Sequence, residues 1–377
     1  MRGVELPNTP LWDDSRWSAL PTINGELTAD LCVVGLGGSG LSAVLEGLRL
    51  GLSVIGLDAG IVAGGAAGRN GGLLLAGAAR FYHELVADRG RDSAKALYQL
   101  TLEEIERMAA QTPRAIRRVG SLRIASSPDE LEDCALHLSA LREDGFEASQ
   151  YADLEGIGVL IPSDAAFNPL ERCRALAQIA LTGGAALFEQ SFALEVTGDT
   201  VRTARGTVSA RHVIVCVDGK LEMLFPELAP RVRTARLQML GTAPDGGVRL
   251  PRPVYARWGY EYWQQLPDGR VTLGGFRDAE LEAEWTSDDA PSRSMQTRLE
   301  AFLRDTIGAV APITHRWAAS VSYTSDGQPV CEQMRSGAWA VGAYSGTGNV
   351  IGALAGRAAV QLAVTGSSSI ADALISR

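Results

Sequence analysis

A glycine-rich turn between an apolar strand and a helix constrains the fold of this chain more than any other feature of its sequence. Residues 31–34 form a short apolar run, as expected of a strand buried on both faces. Residues 39–50 carry apolar side chains at helical spacing, and residues 53–57 predict a second buried strand that ends at Asp58. The turn before the helix reads Gly35-Leu36-Gly37-Gly38-Ser39-Gly40. This order of elements predicts a βαβ unit that binds a dinucleotide.

Each part of this unit has a physical role in holding a dinucleotide. Gly35 makes the tight turn, Gly37 lets the backbone approach a pyrophosphate, and Gly40 lets the helix pack against the strand. The helix N-terminus faces the phosphate charge, and Asp58 accepts hydrogen bonds from ribose hydroxyls. The alternative is a glycine-rich turn in some other α/β fold.

The rest of the chain predicts an α/β fold with two lobes. Residues 233–276 alternate and are rich in aromatic side chains, which is typical of an antiparallel sheet. Strand, glycine loop and helix recur over residues 339–364. Because such elements occur at both ends of the chain, we expect a discontinuous dinucleotide-binding domain of residues 1–80, 150–220 and 318–377. Residues 81–149 and 221–317 then form an α+β substrate domain with an antiparallel sheet.

Charge and cysteine content argue against several classes of function. The chain has 35 lysines and arginines against 44 aspartates and glutamates, a net charge of −9, and no basic block, so nucleic acid is not an expected partner. Its five cysteines are scattered without metal-ligand spacing, which predicts free, buried thiols and no metal site. The sequence shows no signal peptide and no long apolar run, so we expect a cytoplasmic protein without a membrane span.

Segments beyond the βαβ unit carry a resemblance to a known family. They are Gly64-Gly65-Ala66-Ala67-Gly68-Arg69-Asn70-Gly71-Gly72, Phe167-Asn168-Pro169-Leu170, Val213-Ile214-Val215-Cys216-Val217-Asp218-Gly219, Leu273-Gly274-Gly275-Phe276 and Gly342-Ala343-Tyr344-Ser345-Gly346-Thr347-Gly348. In this order they resemble the glycine oxidase / D-amino-acid oxidase superfamily, most closely its γ-glutamylputrescine oxidase-like branch. The resemblance covers nearly the whole chain. It implies an FAD-binding, Rossmann-like lobe of the glutathione-reductase type.

The resemblance also implies which residues contact FAD. The glycine turn and the end of the second strand would hold the pyrophosphate and the ribose, and Ala193 would meet the adenine. The segment from Arg69 would line the flavin, with the loop before the last helix under its pyrimidine end. The implied cofactor-binding residues are Gly35, Gly37, Gly38, Ser39, Gly40, Asp58, Ala59, Arg69, Asn70, Gly71, Gly72, Ala193, Gly346, Thr347, Gly348 and Asn349. A physical reason supports the last four, because N–H groups at a helix N-terminus stabilise negative charge on a reduced flavin.

Four departures from the family pattern bear on the reaction. Thr347 stands where histidine is usual, and Val321 stands where the glycine oxidase subgroup has an arginine for the substrate carboxylate. Thr272 stands where the sarcosine oxidase subgroup has a lysine thought to help oxygen react. No cysteine occupies that subgroup's flavin-linking position, so we expect non-covalent FAD. Oxidase and dehydrogenase both stay open.

Aromatic residues crowd residues 255–263, which the resemblance places over the flavin. As one strand, this segment would put Trp258, Tyr260 and Tyr262 on one face and Arg257 and Trp263 on the other. An aromatic wall would attract an amine and exclude water, although core packing of a sheet is the alternative. The predicted catalytic residues are Arg69, Tyr260, Tyr262, Tyr344 and Thr347.

Arginines and two further titratable residues are weaker candidates for the substrate side. Arg69, Arg257 and Arg277 are candidates for holding a distant substrate carboxylate, and a surface or ion-pair role is the alternative for each. His315 and Glu261 could titrate near the site, but a structural role is favoured for both.

These observations predict an FAD-dependent amine or amino-acid oxidoreductase. Hydride from the C–N centre would pass to flavin N5, and the resulting imine would hydrolyse. The partners would be a small-molecule amine or amino acid and an electron acceptor, either O2 or another carrier. The alternatives are a flavin-binding protein with lost or different turnover and a nicotinamide-dependent dehydrogenase.

Overall fold

The computed structural model describes residues 6–14 and 16–375. In chain order the strands are β1 (Gly25–Val34), β2 (Val54–Leu57), β3 (Leu73–Leu74), β4 (Ile116–Arg117), β5 (Ser121–Ile124), β6 (Ser149–Asp153), β7 (Gly156–Ile161), β8 (Ala165–Phe167), β9 (Ala186–Phe188), β10 (Glu195–Val196), β11 (Thr200–Arg202), β12 (Gly206–Val215), β13 (Val232–Pro244), β14 (Val254–Ala256), β15 (Glu261–Gln265), β16 (Arg270–Gly275), β17 (Ile313–Thr324), β18 (Val330–Gln333) and β19 (Trp339–Gly342).

The α-helices are α1 (Gly38–Arg49), α2 (Tyr82–Arg89), α3 (Arg91–Gln111), α4 (Pro128–Glu143), α5 (Pro169–Thr182), α6 (Leu221–Leu224), α7 (Leu281–Glu284), α8 (Arg293–Phe302), α9 (Ile351–Thr365) and α10 (Ser369–Leu374). Short 3-10 turns occur at Ala66–Gly68, Pro226–Leu228, Arg257–Gly259 and Arg277–Glu280, and a π turn at Leu303–Ile307. None of the described helices is both long and apolar enough to cross a membrane.

The first sheet contains the predicted βαβ unit. β1 lies between β12 and β2, parallel to both, and β9 and β19 extend this parallel part at its two sides. The prediction of strand, glycine turn, helix and strand is therefore confirmed. β1 is longer than the apolar run 31–34, because it continues to pair with β12 back to Gly25 opposite Gly206.

The second sheet has eight strands in the order β17-β13-β16-β15-β14-β5-β7-β6. Its pairs are antiparallel except for β14 and β5, which run parallel. The predicted antiparallel sheet over residues 233–276 is thus confirmed, with one parallel pair that the local pattern does not reveal. A third, small sheet has the order β3-β8-β4.

The domain boundaries stay a prediction. β6 and β7 pair within the second sheet, although residues from 150 were assigned to the first lobe. Residues 1–5, 15, 376 and 377 of the predicted ranges lie outside the described residues.

α1 and α9 pack closely against each other, with the start of α1 against the middle of α9. A Cβ at Gly356 of α9 would collide with the backbone of Ser39, so the absence of a side chain there sets this close approach. The apolar residues of both helices, such as Leu41 and Leu354, are fully buried in the largest core.

The described residues before β1, 6–14 and 16–24, form an irregular arm. Trp12 is buried, and its Nε1 donates to the Asn70 carbonyl at 2.9 Å. Trp17 Nε1 donates to Glu189 Oε1 at 2.8 Å. The arm is therefore tied to the body of the protein by its two tryptophans.

Candidate functional site

One cavity of about 1410 Å³ runs from the glycine turn of the first sheet to the face of the second sheet. The carboxyl ends of β1, β2 and β12 open into it at Val34, Asp58 and Cys216. Ligands of doubly wound α/β sheets bind at this edge of the strands. The cavity wall includes every predicted cofactor-binding and catalytic residue except Gly40 and Gly72.

The glycine turn leaves backbone N–H groups at the cavity wall. α1 begins at Gly38 with no capping side chain and no acidic residue in its first turn. A Cβ at Gly38 would meet no atom within 4 Å, so the wall is open at this point, whereas a Cβ at Gly40 would collide with the Gly35 carbonyl. Gly40 thus sits behind the wall and sets the approach of helix to strand. An uncapped helix N-terminus facing a cavity fits the pyrophosphate of FAD.

Asp58 lies at the cavity wall and also braces the glycine turn. Its Oδ2 accepts from the Leu36 N–H at 2.8 Å and its Oδ1 from the Gly60 N–H at 2.9 Å. Burial raises the pKa of this carboxyl, and these two hydrogen bonds lower it. Ala59 and Ala193 lie on the same wall.

Two loops that are distant in sequence are joined at the centre of the cavity by Asn70 and Asn349. Asn349 Nδ2 donates to Asn70 Oδ1 at 3.2 Å and to the Leu73 carbonyl at 2.9 Å. Asn70 Oδ1 also accepts from the Gly72 N–H at 2.9 Å, and its Nδ2 donates to the Ala67 carbonyl at 2.9 Å. Gly72 therefore supports the loop from behind the wall.

Arg69 lines the cavity, but its guanidinium is occupied by protein groups. Its Nε donates to the Ala318 carbonyl at 2.8 Å, and one terminal nitrogen donates to the Asn8 carbonyl at 2.7 Å and to Asn8 Oδ1. Trp317 Nε1 donates to the Arg69 carbonyl at 2.7 Å. Burial lowers the pKa of Arg69. The contacts make Arg69 a brace between the N-terminal arm and β17, and a substrate role for it stays a prediction.

The loop before α9 presents a second helix N-terminus. α9 has no capping side chain and no acidic residue in its first turn. Thr347 turns inward, where its Oγ1 donates to the Tyr344 carbonyl at 2.7 Å. The Tyr344 ring packs against Gly348, and burial raises the pKa of this tyrosine well above its usual value. Thr347 and Tyr344 therefore shape the loop that carries Gly346 and Gly348 to the cavity.

The prediction of one continuous strand over residues 255–263 is wrong. Arg257 and Trp258 adopt positive φ angles of 49° and 52° in a turn between β14 and β15. Trp258 still lines the cavity beside Tyr260, and its Nε1 donates to Asp133 Oδ2 at 2.7 Å. Trp263 faces the core against Phe302, with ring centroids 5.5 Å apart.

Tyr262 joins the aromatic part of the cavity to the cofactor part. Its ring lies over Gly274, and a Cβ at Gly71 would come within 2.7 Å of the same ring. Tyr260 and Tyr255 line the cavity beside it, as does Tyr323 from β17. The sequence reasoning missed Tyr323, because only strand pairing between β13 and β17 brings it to this wall.

The three candidate arginines have different surroundings. Arg257 pairs with Glu261 at 2.5 Å and with Asp278 at 2.6 Å, and it does not line the cavity. Arg277 does line it, between the rings of Trp285 and Tyr323 at 4.8 and 4.4 Å, and its Nη1 is buried without a hydrogen-bond partner. His315 and Glu261 lie off the cavity wall, in agreement with the structural roles favoured for them.

Two buried arginines on the wall were not found from the sequence. Arg123 and Arg172 are 4% and 2% exposed, and both line the cavity. The available signal for Arg123 was a charged residue inside an apolar strand, since Leu122 and Ile124 on either side are core residues. Arg172 lies on α5, which Asn168 caps and Pro169 begins.

The family described as DAO, FAD dependent oxidoreductase, matches residues 30–362 of this chain. The chain belongs to this family. It therefore takes FAD, and the alternative of a nicotinamide-dependent dehydrogenase gains no support. The predicted fold class, family resemblance and cofactor are confirmed.

Relatives and a solved structure agree with this assignment. The chain is 26% identical over 379 residues to a probable oxidoreductase OrdL of Rhizobium meliloti (strain 1021), covering 93% of this chain and 86% of that protein. It is 26% identical over 374 residues to the gamma-glutamylputrescine oxidoreductase of Escherichia coli (strain K12), covering 92% and 86%. The crystal structure of glycine oxidase from Geobacillus kaustophilus superposes with a TM-score of 0.73 at 18% identity, covering 91% of this chain and 96% of that one.

Proposed function

We propose that this FAD-dependent oxidoreductase oxidises the C–N centre of a small amine or amino acid. FAD held at the glycine turn and the Gly71 segment would supply a two-electron acceptor for a hydride from the carbon that bears nitrogen; the nitrogen would lose a proton, and water would hydrolyse the imine to a carbonyl compound. The single observation that carries the proposal is the tyrosine wall of Tyr255, Tyr260, Tyr262 and Tyr323, which is continuous with the FAD-binding part of the cavity.

The tyrosine wall matches the needs of amine oxidation. Aromatic faces attract an incoming ammonium group, and a low-dielectric wall favours the neutral amine from which hydride leaves. Burial raises the pKa of Tyr323 to about 12 and raises that of Tyr262. Both phenols therefore stay protonated at neutral pH, so they orient and enclose a substrate and do not remove a proton from it.

The chain's own contribution to the reaction is alignment. Hydride transfer to a flavin needs no enzymatic nucleophile, but it does need the donor carbon held close to N5. Tyr262 is suited to this task, since its ring lies against the Gly71 segment proposed to line the flavin. We propose Tyr260 and Tyr262 as substrate-facing residues. Arg69, Tyr344 and Thr347 would then act through the position of the two flavin loops.

The names of related proteins support the substrate class. One relative is named for gamma-glutamylputrescine, and the glycine oxidase neighbour is named for an amino acid. Val321 lies on the cavity wall and offers no charge, so an α-amino acid would have to place its carboxylate elsewhere.

An anaerobic amine panel tests the proposal. The protein would be purified, reconstituted with FAD, and mixed without oxygen with primary amines, secondary amines, diamines and amino acids while the flavin absorbance is followed. We expect one group of amines to bleach the flavin and to yield an aldehyde or ketone. A flavin that no amine reduces, although dithionite reduces it, would exclude the proposal and favour the alternative of a flavin-binding protein with lost or different turnover.

The same sample decides between oxidase and dehydrogenase. Air admitted after bleaching restores the oxidised spectrum within seconds in an oxidase, while a dehydrogenase needs an added electron carrier. Thr272 is fully buried, and its hydroxyl has no hydrogen-bond partner in the described part of the chain. We propose slow reoxidation by O2, because this position offers no cation to stabilise reduced oxygen. A Thr272→Lys variant should reoxidise faster than the parent protein.

A further inference from the structure

Arg123 is a buried cation on the wall of the tyrosine-lined part of the cavity. It belongs to β5, where it is 4% exposed while its neighbours Leu122 and Ile124 enter the core on the opposite face. The guanidinium carbon lies 5.4 Å from the centre of the Phe81 ring and 5.2 Å from that of Tyr255. Two aromatic rings thus hold the side chain in one place.

No protein anion neutralises this guanidinium. Within residues 6–14 and 16–375, no carboxylate comes within ion-pair distance of Arg123, none of its side-chain nitrogens makes a hydrogen bond, and its Nε is fully buried. Asp164 feels the charge, but its oxygens accept from the Ala76 N–H at 2.8 Å and the Ser121 hydroxyl at 2.6 Å. A buried charge without a counter-ion is costly, so the site is suited to an anion that enters through the cavity.

The other arginines near the cavity are less suited to this role. Arg69 and Arg257 already bind protein acceptors. Arg172 lies on α5 beside Leu170, whose side chain packs on the Gly64–Gly72 segment and not among the tyrosines. Arg277 is more exposed than Arg123 and lies beside Tyr323, at the other side of the tyrosine wall.

Strand register sets the distance of Arg123 from the cofactor part of the cavity. Arg123 is opposite Tyr255 on β14, and Tyr255 is opposite Tyr262 on β15. Neighbouring strands are about 4.8 Å apart, so Arg123 and Tyr262 are separated by about 10 Å across the sheet. Tyr262 lies against Gly71. A substrate that reaches from Arg123 to the flavin must therefore have several bonds between its anionic group and its reacting carbon.

We propose that Arg123 binds a carboxylate at the far end of the amine substrate, and that it is the residue that determines specificity for such substrates. This inference rests on the proposed function for its amine, but the carboxylate site itself is a property of the cavity. The preferred substrate is therefore an extended amine with a remote carboxylate, in preference to a plain alkylamine or an α-amino acid.

Binding of non-oxidisable probes tests the carboxylate site without turnover. Hexanoate and octanoate, and the neutral amides hexanamide and octanamide, would be titrated into the FAD-loaded protein while the flavin difference spectrum is recorded. We expect the acids to bind more tightly than the amides. In Arg123→Met the acids should lose about 30-fold or more in affinity, while Arg123→Lys keeps part of it. Equal binding of acids by the parent protein and Arg123→Met overturns the proposal.

Turnover with matched amines tests specificity. The rate of flavin bleaching would be compared for 4-aminobutanoate, 6-aminohexanoate and 8-aminooctanoate against butylamine, hexylamine and octylamine. The parent protein should prefer the amino acids, and the ratio of the two rates should collapse in Arg123→Met. A preference that survives in Arg123→Met but is lost in Arg277→Met makes Arg277 the anchor and contradicts the proposal.

Two controls separate this inference from the proposed function and from misfolding. Arg233→Met removes an arginine that stacks on Trp285 at 4.5 Å outside the cavity, and it should leave the ratio unchanged. If acid binding depends on Arg123 but no amine bleaches the flavin, the carboxylate site is supported and amine oxidation is rejected. If amines bleach the flavin without any preference for amino acids, amine oxidation is supported and the carboxylate site is rejected. The Tm of Arg123→Met should not be lower than that of Arg123→Lys, since methionine removes the buried charge.

Discussion

Asp218 shows how a single residue couples the first sheet to the loop before α9. Its carboxyl follows β12 and accepts the Tyr344 N–H at 3.1 Å, with further backbone hydrogen bonds from Ser322 and Ala343. Burial raises the pKa of Asp218 to about 7, although these hydrogen bonds lower it. The carboxyl therefore changes its charge close to physiological pH at the cavity wall.

This raised pKa predicts a pH-dependent stability. The folded protein holds the Asp218 proton more tightly than the unfolded chain, whose aspartate pKa is about 3.9. The stabilisation is complete below that value, is lost as pH rises through the folded pKa of about 7, and is absent above it. Asp218→Asn stays neutral throughout. Its unfolding free energy minus that of the parent should therefore increase from pH 5 to pH 8 in urea titrations.

Asp30 provides the matched control for this experiment. Hydrogen bonds from Ser53 lower the pKa of Asp30, so its contribution is lost only below the pH window used. The difference between Asp30→Asn and the parent should stay flat from pH 5 to pH 8. A flat difference for Asp218→Asn as well would show that its carboxyl is already ionised at pH 5.

Gly40 and Gly38 form a second matched pair at the residue scale. Alanine at Gly40 would drive its Cβ into the backbone carbonyl of Gly35, which has no room to move because Gly35 itself lies against Cys216. We expect Gly40→Ala to destabilise the fold by about 3 kcal/mol or more. Gly38→Ala meets no atom and should stay within about 1 kcal/mol of the parent in denaturant titrations. Equal stability of the two variants would contradict the packing argument.

Single residues also mark the limit of sequence patterns in this chain. The glycine turn and Asp58 follow from local spacing, and the structure places them at one cavity wall. Arg69, Arg257 and Arg277 look alike in the sequence, but only Arg277 keeps an unpartnered buried nitrogen facing the cavity. Whether an arginine is free depends on acceptors such as Asn8, Ala318 and Asp278, which are distant in sequence or belong to other elements.

At the scale of elements, the N-terminal arm covers the segment that holds Asn70. Leu11 packs with Met239 and Trp317, while Trp12 enters the main core. Arg69 binds Asn8 of the same arm. The arm therefore forms part of the support for the predicted flavin loop, although residues 6–14 and 16–24 contain no helix or strand.

Removal of Trp12 tests this support. Trp12→Ala should cost about 3–5 kcal/mol, as expected for truncation of a buried aromatic side chain. It should also weaken FAD binding, because Trp12 Nε1 holds the Asn70 carbonyl. Urea unfolding and FAD dissociation measured by flavin fluorescence would show both effects. Trp339 is half-buried and lies off the cavity wall, so Trp339→Ala should change FAD dissociation far less. Equal effects would argue against a role for the arm.

The turn at Arg257–Gly259 shows why an aromatic run did not behave as one strand. Pairing of β14 with β15 requires the chain to reverse between Ala256 and Glu261. The reversal places Arg257 and Trp258 at positive φ, a backbone region that non-glycine residues rarely occupy. The sequence does not predict a turn there, since Gly259 is the only glycine in the turn and stands at its last position.

At the scale of the whole molecule, the two sheets are held around a cavity that two uncapped helix N-termini face. FAD filling this cavity would contact residues from both ends of the chain, including the glycine turn and the loop before α9. A ligand that binds only the folded state stabilises it by RT ln(1 + L/Kd), where L is the free ligand concentration, so the stabilisation keeps rising with L. The stability of the whole protein should therefore depend on free FAD.

Removal of FAD gives the last prediction. At a free FAD concentration 100 times its Kd, the protein should gain about 2.7 kcal/mol over the apoprotein. Differential scanning fluorimetry across an FAD titration would show a rising Tm, and non-covalent binding predicts that acid precipitation releases all the flavin. NADH at the same concentrations is the control and should produce little shift. A larger shift with NADH than with FAD would contradict the cofactor assignment.

The cofactor-binding fold could be predicted from the sequence, because the strand, turn and helix proposed to hold a pyrophosphate are contiguous and depend on local spacing. The sequence also predicted two flavin-lining loops, since their glycines and asparagines stand in short motifs. Only the tertiary structure decided which charges face the cavity. Arg123, Arg277 and Tyr323 reach the cavity wall because elements that are distant in sequence pair and pack against each other. No local sequence pattern shows which of the two arginines lacks a partner.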